Sequence, residues 1–139
     1  MKKGELVPNA DVVYLLKEGI RKVASSKGIL IDGCPRVKDQ CCDFEVAIAP
    51  IDLMIYLECT EKTMVERVLK EAKESGGKRP NDNEETVRAR ITTFFKNNDP
   101  ILNLYTKRKK IINGDRDVDE VFADVQKCIE ELMAKLNES

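Results

Sequence analysis

Apolar residues along the chain switch repeatedly between helical spacing and short continuous runs. Val12, Leu16, Ile20 and Val23 recur at helical spacing after Pro8-Asn9, with Asn9 or Asp11 placed to cap the helix and Gly28 to stop it. Ile29-Leu30-Ile31 follows as a short, fully apolar run closed by Asp32-Gly33-Cys34-Pro35, the pattern of a buried parallel strand. A weaker helical stretch runs from Asp39 to Ile48 and Pro50 breaks it. A second buried strand reads over Asp52-Leu53-Met54-Ile55-Tyr56-Leu57. Thr60 then caps a helix with Met64, Val68 and Ala72 on one face.

The periodicity fails from Lys73 to Asn83, where glycines, Pro80 and polar residues spell an exposed loop. Asn83 caps the next helix, with Glu84 and Glu85 in its first turn and Val87, Ile91, Phe94 and Phe95 as its buried stripe. Asp99-Pro100 is expected to restart a helix through Leu102 and Tyr105. Lys109-Lys110-Ile111-Ile112-Asn113 reads as a third strand. Asp117-x-x-Glu120 opens a last helix whose apolar face is Val118, Val121, Val125, Ile129, Leu132 and Leu136. This alternation predicts an α/β domain with a parallel sheet flanked by helices.

Composition narrows the chemistry. The 139 residues carry 24 basic and 25 acidic side chains, a net charge of −1, which speaks against a nucleic-acid partner. There is no histidine, so Ser-His-Asp and Cys-His schemes and His-ligated metals are excluded. Five cysteines without a Cys-x-x-Cys read as reduced thiols of a cytoplasmic protein. No apolar run reaches the ~20 residues that cross a bilayer, so no membrane partner is expected.

Two clusters remain as candidates. Asp32-Gly33-Cys34-Pro35-Arg36 follows the first predicted strand, at the end of a parallel sheet where ligands bind. An acid there can hold a metal-bound water and an arginine can fork onto phosphate. The same residues also read as a helix cap and a plain turn. Lys78, Arg79, Asp82, Arg88 and Arg90, with Arg67 and Lys70 on the preceding helix, suit closure over phosphate charge; they equally suit a solvated charged face. No Gly-x-x-x-x-Gly-Lys-Ser/Thr occurs: Gly77-Lys78 is followed by Arg79 and preceded at the required distance by Ala72.

Four segments taken together resemble the nucleoside monophosphate kinases. They are Gly4-Glu5-Leu6-Val7-Pro8, Leu30-Ile31-Asp32-Gly33-Cys34-Pro35-Arg36 with Gln40, Asp82-Asn83-Glu84-Glu85-Thr86, and Val118-Asp119-Glu120-Val121-Phe122. The short cytosolic adenylate kinases are the nearest likeness and the UMP-CMP kinases come next. The resemblance covers essentially the whole chain as one adenylate kinase-like domain, residues 1–139. It implies the P-loop NTPase-like fold and reversible phosphoryl transfer from Mg-ATP to AMP, or to UMP or CMP. It implies that Glu5, Leu6 and Val7 line the adenine of the monophosphate, that Gly33, Arg36 and Gln40 hold that nucleotide, and that Asp32 orders Mg²⁺ through water. Residues 73–83 would be a short lid over ATP. Arg67, Arg79 and Arg90 would neutralise the transferring phosphate beside Asp82, and Arg67 and Arg116 would lie on the ATP side.

Departures from the family pattern set the expectation for activity. Glu71 stands where a lid-flanking arginine is usual, the lid is two residues longer, Cys34 replaces an aromatic residue and Arg116 a glycine. The family's first strand, its P-loop and lysine, and most of the monophosphate-binding helices have no counterpart in these residues. In the family that strand lies between those matching residues 29–32 and 53–57. The chain is therefore expected to be the later part of a longer domain, weak or inactive alone. An alternative is a non-catalytic fragment or paralogue that binds nucleotide or a partner chain. Self-association through the uncovered sheet is also expected.

Overall fold

The computed structural model describes residues 7–74 and 83–138. Its elements are α1 (Asn9–Lys22), α2 (Lys38–Ala47), β1 (Met54–Glu58), α3 (Glu61–Glu74), α4 (Glu84–Leu104), β2 (Lys109–Asn113) and α5 (Val118–Asn137). β1 and β2 pair in parallel, Met54 opposite Lys109 and Glu58 opposite Asn113. A parallel pair needs a long crossover, and α3 and α4 supply it. The fold is α/β, a short parallel sheet with flanking helices, as the alternating pattern predicts.

The residues divide into two compact units. The first contains α1, α2 and Phe94–Leu104. Its buried residues include Val13, Cys41, Phe44 and Ile101, with Gln40 and Asn98 as buried polar groups. The second contains Asp52–Thr93 and the described residues from Tyr105 onward, hence β1, β2, α3 and α5. Val65 on α3 packs with Val87 and Ile91 on α4, and Met64, Val68 and Leu69 close around them. Val65, Val87 and Ile91 are the buried ones, and full burial of such a side chain contributes about 1.5–3 kcal/mol. Tyr105 and Ile112 are also buried in this unit.

Helix starts follow the local chemistry. The Thr63 N–H donates to Thr60 Oγ1 at 3.3 Å and the Thr86 N–H to Asn83 Oδ1 at 2.8 Å. Asp117 and Glu120 form a complete capping box at the start of α5. At α1 the cap position is Pro8, with no side-chain cap, and the helix ends at Lys22, short of Gly28.

Four expectations are corrected. Residues 29–31 form no strand; the described sheet has only β1 and β2. Leu30 is 79% exposed. A strand exists only through a hydrogen-bonded neighbour, and no described segment supplies one. α4 does not restart at Pro100 but runs through it. Proline costs a helix about 3 kcal/mol, and the burial of Ile101 directly after it offsets a cost of that order. Phe94 and Phe95 are not buried with Val87 and Ile91; each is about 40% exposed and they pack edge to face at 5.5 Å. No residue of α5 is fully buried, and Val118 and Phe122 are well exposed. In both cases a helical stripe marks what can be buried, and only a packing partner buries it.

The carboxyl ends of β1 and β2 are joined closely. The Gly114 N–H donates to the Glu58 carbonyl at 2.7 Å. A Cβ at Gly114 would stand 2.5 Å from Cys59 Sγ and 3.3 Å from that carbonyl. Gly114→Ala is expected to lower stability by about 1–3 kcal/mol, the usual cost of overpacking, measured by urea unfolding. Adding Cys59→Ala should recover most of that loss; a double variant as unstable as Gly114→Ala would show that the thiol contact is not its source.

Candidate functional site

The first unit builds its polar loop between residue 31 and α2. Gly33 has φ +79°, a left-handed conformation that other residues adopt only with strain. The Cys34–Pro35 peptide is cis. The chain then folds back, and Arg36 Nε donates to the Gly33 carbonyl at 3.0 Å. Among the described residues no acidic side chain pairs with this exposed guanidinium. Gln40, in the first turn of α2, is 2% exposed. Its Oε1 accepts the Arg36 N–H at 2.7 Å and lies 3.9 Å from the Cys34 thiol. Burial pushes that thiol's pKa up, and Arg36 pulls it partly back. Asp32 lies exposed beside this loop. The structure thus brings Asp32, Gly33, Arg36 and Gln40 into one loop and helix start, with Gln40 holding the backbone of Arg36.

The second unit builds its polar cluster where β1 and β2 end. Arg67 of α3 donates from Nη1 to the Gly114 carbonyl at 2.8 Å and from Nη2 to the Arg116 carbonyl at 3.1 Å. Arg116 folds over the same turn, donating from Nε to the Asn113 carbonyl at 3.0 Å and pairing with Asp124 of α5. Asp115 accepts the Thr60 N–H on both oxygens, at 3.1 and 3.3 Å. Its pKa is held below the usual carboxylate value by the Thr63 hydroxyl, the Thr60 N–H and hydroxyl, and the charge of Arg67. Thr60, Thr63 and Asp115 are absent from the candidates read in the sequence. The available signal was Thr60-x-x-Thr63 at one helix start and Asn113-Gly114-Asp115 after the matching strand.

The remaining candidates are dispersed. Arg90 is exposed on α4 and Val7 is half-buried before α1. Arg88 is held between Glu84 at 2.9 Å and Glu61 at 3.1 Å, which ties the starts of α3 and α4 together. A shallow depression lined by Glu61, Lys62, Val65, Glu66, Glu84 and Arg88 lies there. Glu5, Leu6, Arg79 and Asp82, and most of the expected lid, lie outside the described residues. Among the described residues no cluster of three or more Cys, Asp or Glu side chains is placed to hold a metal ion, and no helix is long and apolar enough to cross a membrane.

Comparison with known proteins now bears on the two loops. The family model for adenylate kinase matches residues 1–110. The chain belongs to the adenylate kinase family. It is 48% identical over 136 residues to adenylate kinase 1 of Drosophila melanogaster, covering 97% of this chain and 59% of that protein. It is 41% identical over 135 residues to adenylate kinase isoenzyme 1 of Gallus gallus, and 42% identical over 135 to that of Cyprinus carpio. Each of those matches covers 95% of this chain and 69% of the relative. The chain thus spans about three fifths of the fly adenylate kinase it matches. Both polar loops fall within the matched stretch of the fly comparison, the first also within the family model.

Two outcomes test this geometry. Gln40→Leu would remove the acceptor of the half-buried Arg36 N–H, and losing one such hydrogen bond costs about 0.5–1.5 kcal/mol; urea unfolding should show a loss of that order. Asp115 contributes stability that is present above its unfolded pKa and lost as pH falls through its lower folded value. The thermal midpoint of the unaltered chain should therefore fall more steeply below about pH 4 than that of Asp115→Asn. Parallel curves would show that this carboxylate is not linked to folding.

Proposed function

We propose that the chain carries the nucleotide-binding parts of an adenylate kinase, acting in reversible phosphoryl transfer between Mg-ATP and AMP. The observation that supports this most is the Gly33–Arg36 turn. A left-handed glycine lets the backbone fold back, and the exposed Arg36 guanidinium, braced on the Gly33 carbonyl, offers a planar set of donors for a phosphate. In this reading Gly33, Arg36 and Gln40 bind the monophosphate nucleotide, with Glu5, Leu6 and Val7 along its base. Arg67, Arg79 and Arg90 meet the transferring phosphate beside Asp82. Arg67 and Arg116 hold the ATP side, and residues 73–83 cover it. Phosphoryl transfer requires positioning and charge stabilisation and no covalent intermediate, which suits a chain without histidine.

The donor set fits a magnesium ion that arrives with its nucleotide. Mg²⁺ is held by one or two carboxylates with phosphates and water, not by a dedicated protein cage. A single exposed Asp32 beside the Arg36 loop meets that requirement. When bound, the ion would offset phosphate charge; Asp32 would orient its water.

The 139 residues contain no Gly-x-x-x-x-Gly-Lys-Ser/Thr cradle. Backbone N–H groups and a lysine of that kind supply much of the transition-state stabilisation in P-loop enzymes. We therefore propose that these residues alone bind nucleotide weakly and turn over slowly or not at all. A cytoplasmic location belongs to the same reading.

A coupled assay with Mg-ATP and AMP on the purified chain tests activity. Turnover is expected at least about a thousandfold below that of an intact adenylate kinase, a loss of about 4 kcal/mol of transition-state stabilisation. Turnover near the intact value would overturn the proposal that these residues alone are inactive. Binding of AMP, UMP and CMP should be compared by calorimetry. AMP is expected to bind best, and Arg36→Ala to weaken it about tenfold or more; equal binding by Arg36→Ala would remove the phosphate role of that loop.

A further inference from the structure

The geometry points to Asp115 as a positioning residue of the triphosphate side, holding the turn at 114–116 where Arg67 is braced. The inference rests on the functional reading above, in which Arg67 and Arg116 hold that side. It concerns a residue absent from that reading.

The bonds between the two segments are reciprocal. The turn after β2 gives two carbonyls, those of Gly114 and Arg116, to the Arg67 guanidinium. The start of α3 gives back the Thr60 N–H, and the Thr60 hydroxyl lies 3.4 Å from the Asp115 carboxylate. Thr60 and Thr63 hydroxyls also meet at 2.9 Å, so the three side chains form one network. The Asp115 N–H is itself fixed by Asn113 Oδ1 at 2.9 Å. Removing the carboxylate would leave the far side of the turn, at residues 115–116, attached to α3 only through Arg67, a long side chain with many rotamers, with the backbone bond from Gly114 to Glu58 holding its near side.

This matters for binding in a specific way. A guanidinium already fixed in place loses little freedom when an anion arrives. Arg67 gives one donor from each terminal nitrogen to the two carbonyls, with Nη1 also 3.9 Å from Cys59 Sγ, and retains Nε and the second Nη2 N–H for a phosphate. The carboxylate does not pair with Arg67 as an ion pair. It contributes charge nearby and fixes the acceptors that Arg67 uses. Asp115 is exposed and lies outside the apolar core, so replacing it disturbs this polar turn without opening a cavity.

The test is a double-mutant cycle on the full chain, read by binding of a ribose-labelled fluorescent ATP with Mg²⁺ and of AMP, with the thermal midpoint recorded for each protein. Asp115→Ala is expected to weaken the ATP probe about tenfold, the usual effect of removing a group that orients a binding residue, and to leave AMP binding within twofold. In an Arg67→Ala background the same change should have no further effect on the ATP probe. Asp115→Glu should recover part of the loss. Should Asp115→Ala fail to fold, Asp115→Asn replaces it in the cycle. Additive losses from Asp115 and Arg67, or equal weakening of ATP and AMP, would overturn the inference and leave the functional reading intact. An unaltered chain that binds neither nucleotide would overturn both.

Discussion

The pairing of β1 with β2 is the constraint on which the second unit depends. It sets Glu58 opposite Asn113 and so brings Cys59 and Gly114 together across 55 residues of sequence. The Gly114 N–H extends the hydrogen-bonded contact one residue beyond the sheet. Arg67, Thr60 and Asp115 can then bond across the same gap. Two strands make a small sheet, and this polar closure adds bonds at one end of the ladder. The apolar group of Val65, Val87 and Ile91 secures the crossover that returns the chain to β2.

Local chemistry was legible in the sequence. The Asn83 cap, the Thr60 cap and the Asp117–Glu120 box are set by residues within three positions of each other. β1 and β2 were legible as apolar runs between turn formers, although β1 begins two residues later than the run. The turn at Gly33 and Arg36 was visible as a motif, but the role of Gln40 in bracing the Arg36 backbone was not. Residues 29–31 carry the signature of a strand and still form none, because pairing is a property of two segments and a sequence window holds one. Asp115 escaped notice for the same reason: its partners lie more than 50 residues away.

The two polar loops differ in how they spend their arginines. Arg36 uses one donor on its own turn and keeps its exposed end for solvent or ligand. Arg67 and Arg116 are each committed to backbone carbonyls of the second loop. The first arrangement leaves the guanidinium end exposed; the second fixes the guanidinium of Arg67 in place while some of its N–H groups stay outside these two bonds.

Lys109 and Lys110 give the small sheet a handedness of another kind. β2 opens with two lysines, whereas β1 opens with Met54, Ile55 and Tyr56. The lysine end of β2 is thereby tied to α5, since Lys110 lies 3.8 Å from Glu131, while the opening of β1 carries no charge.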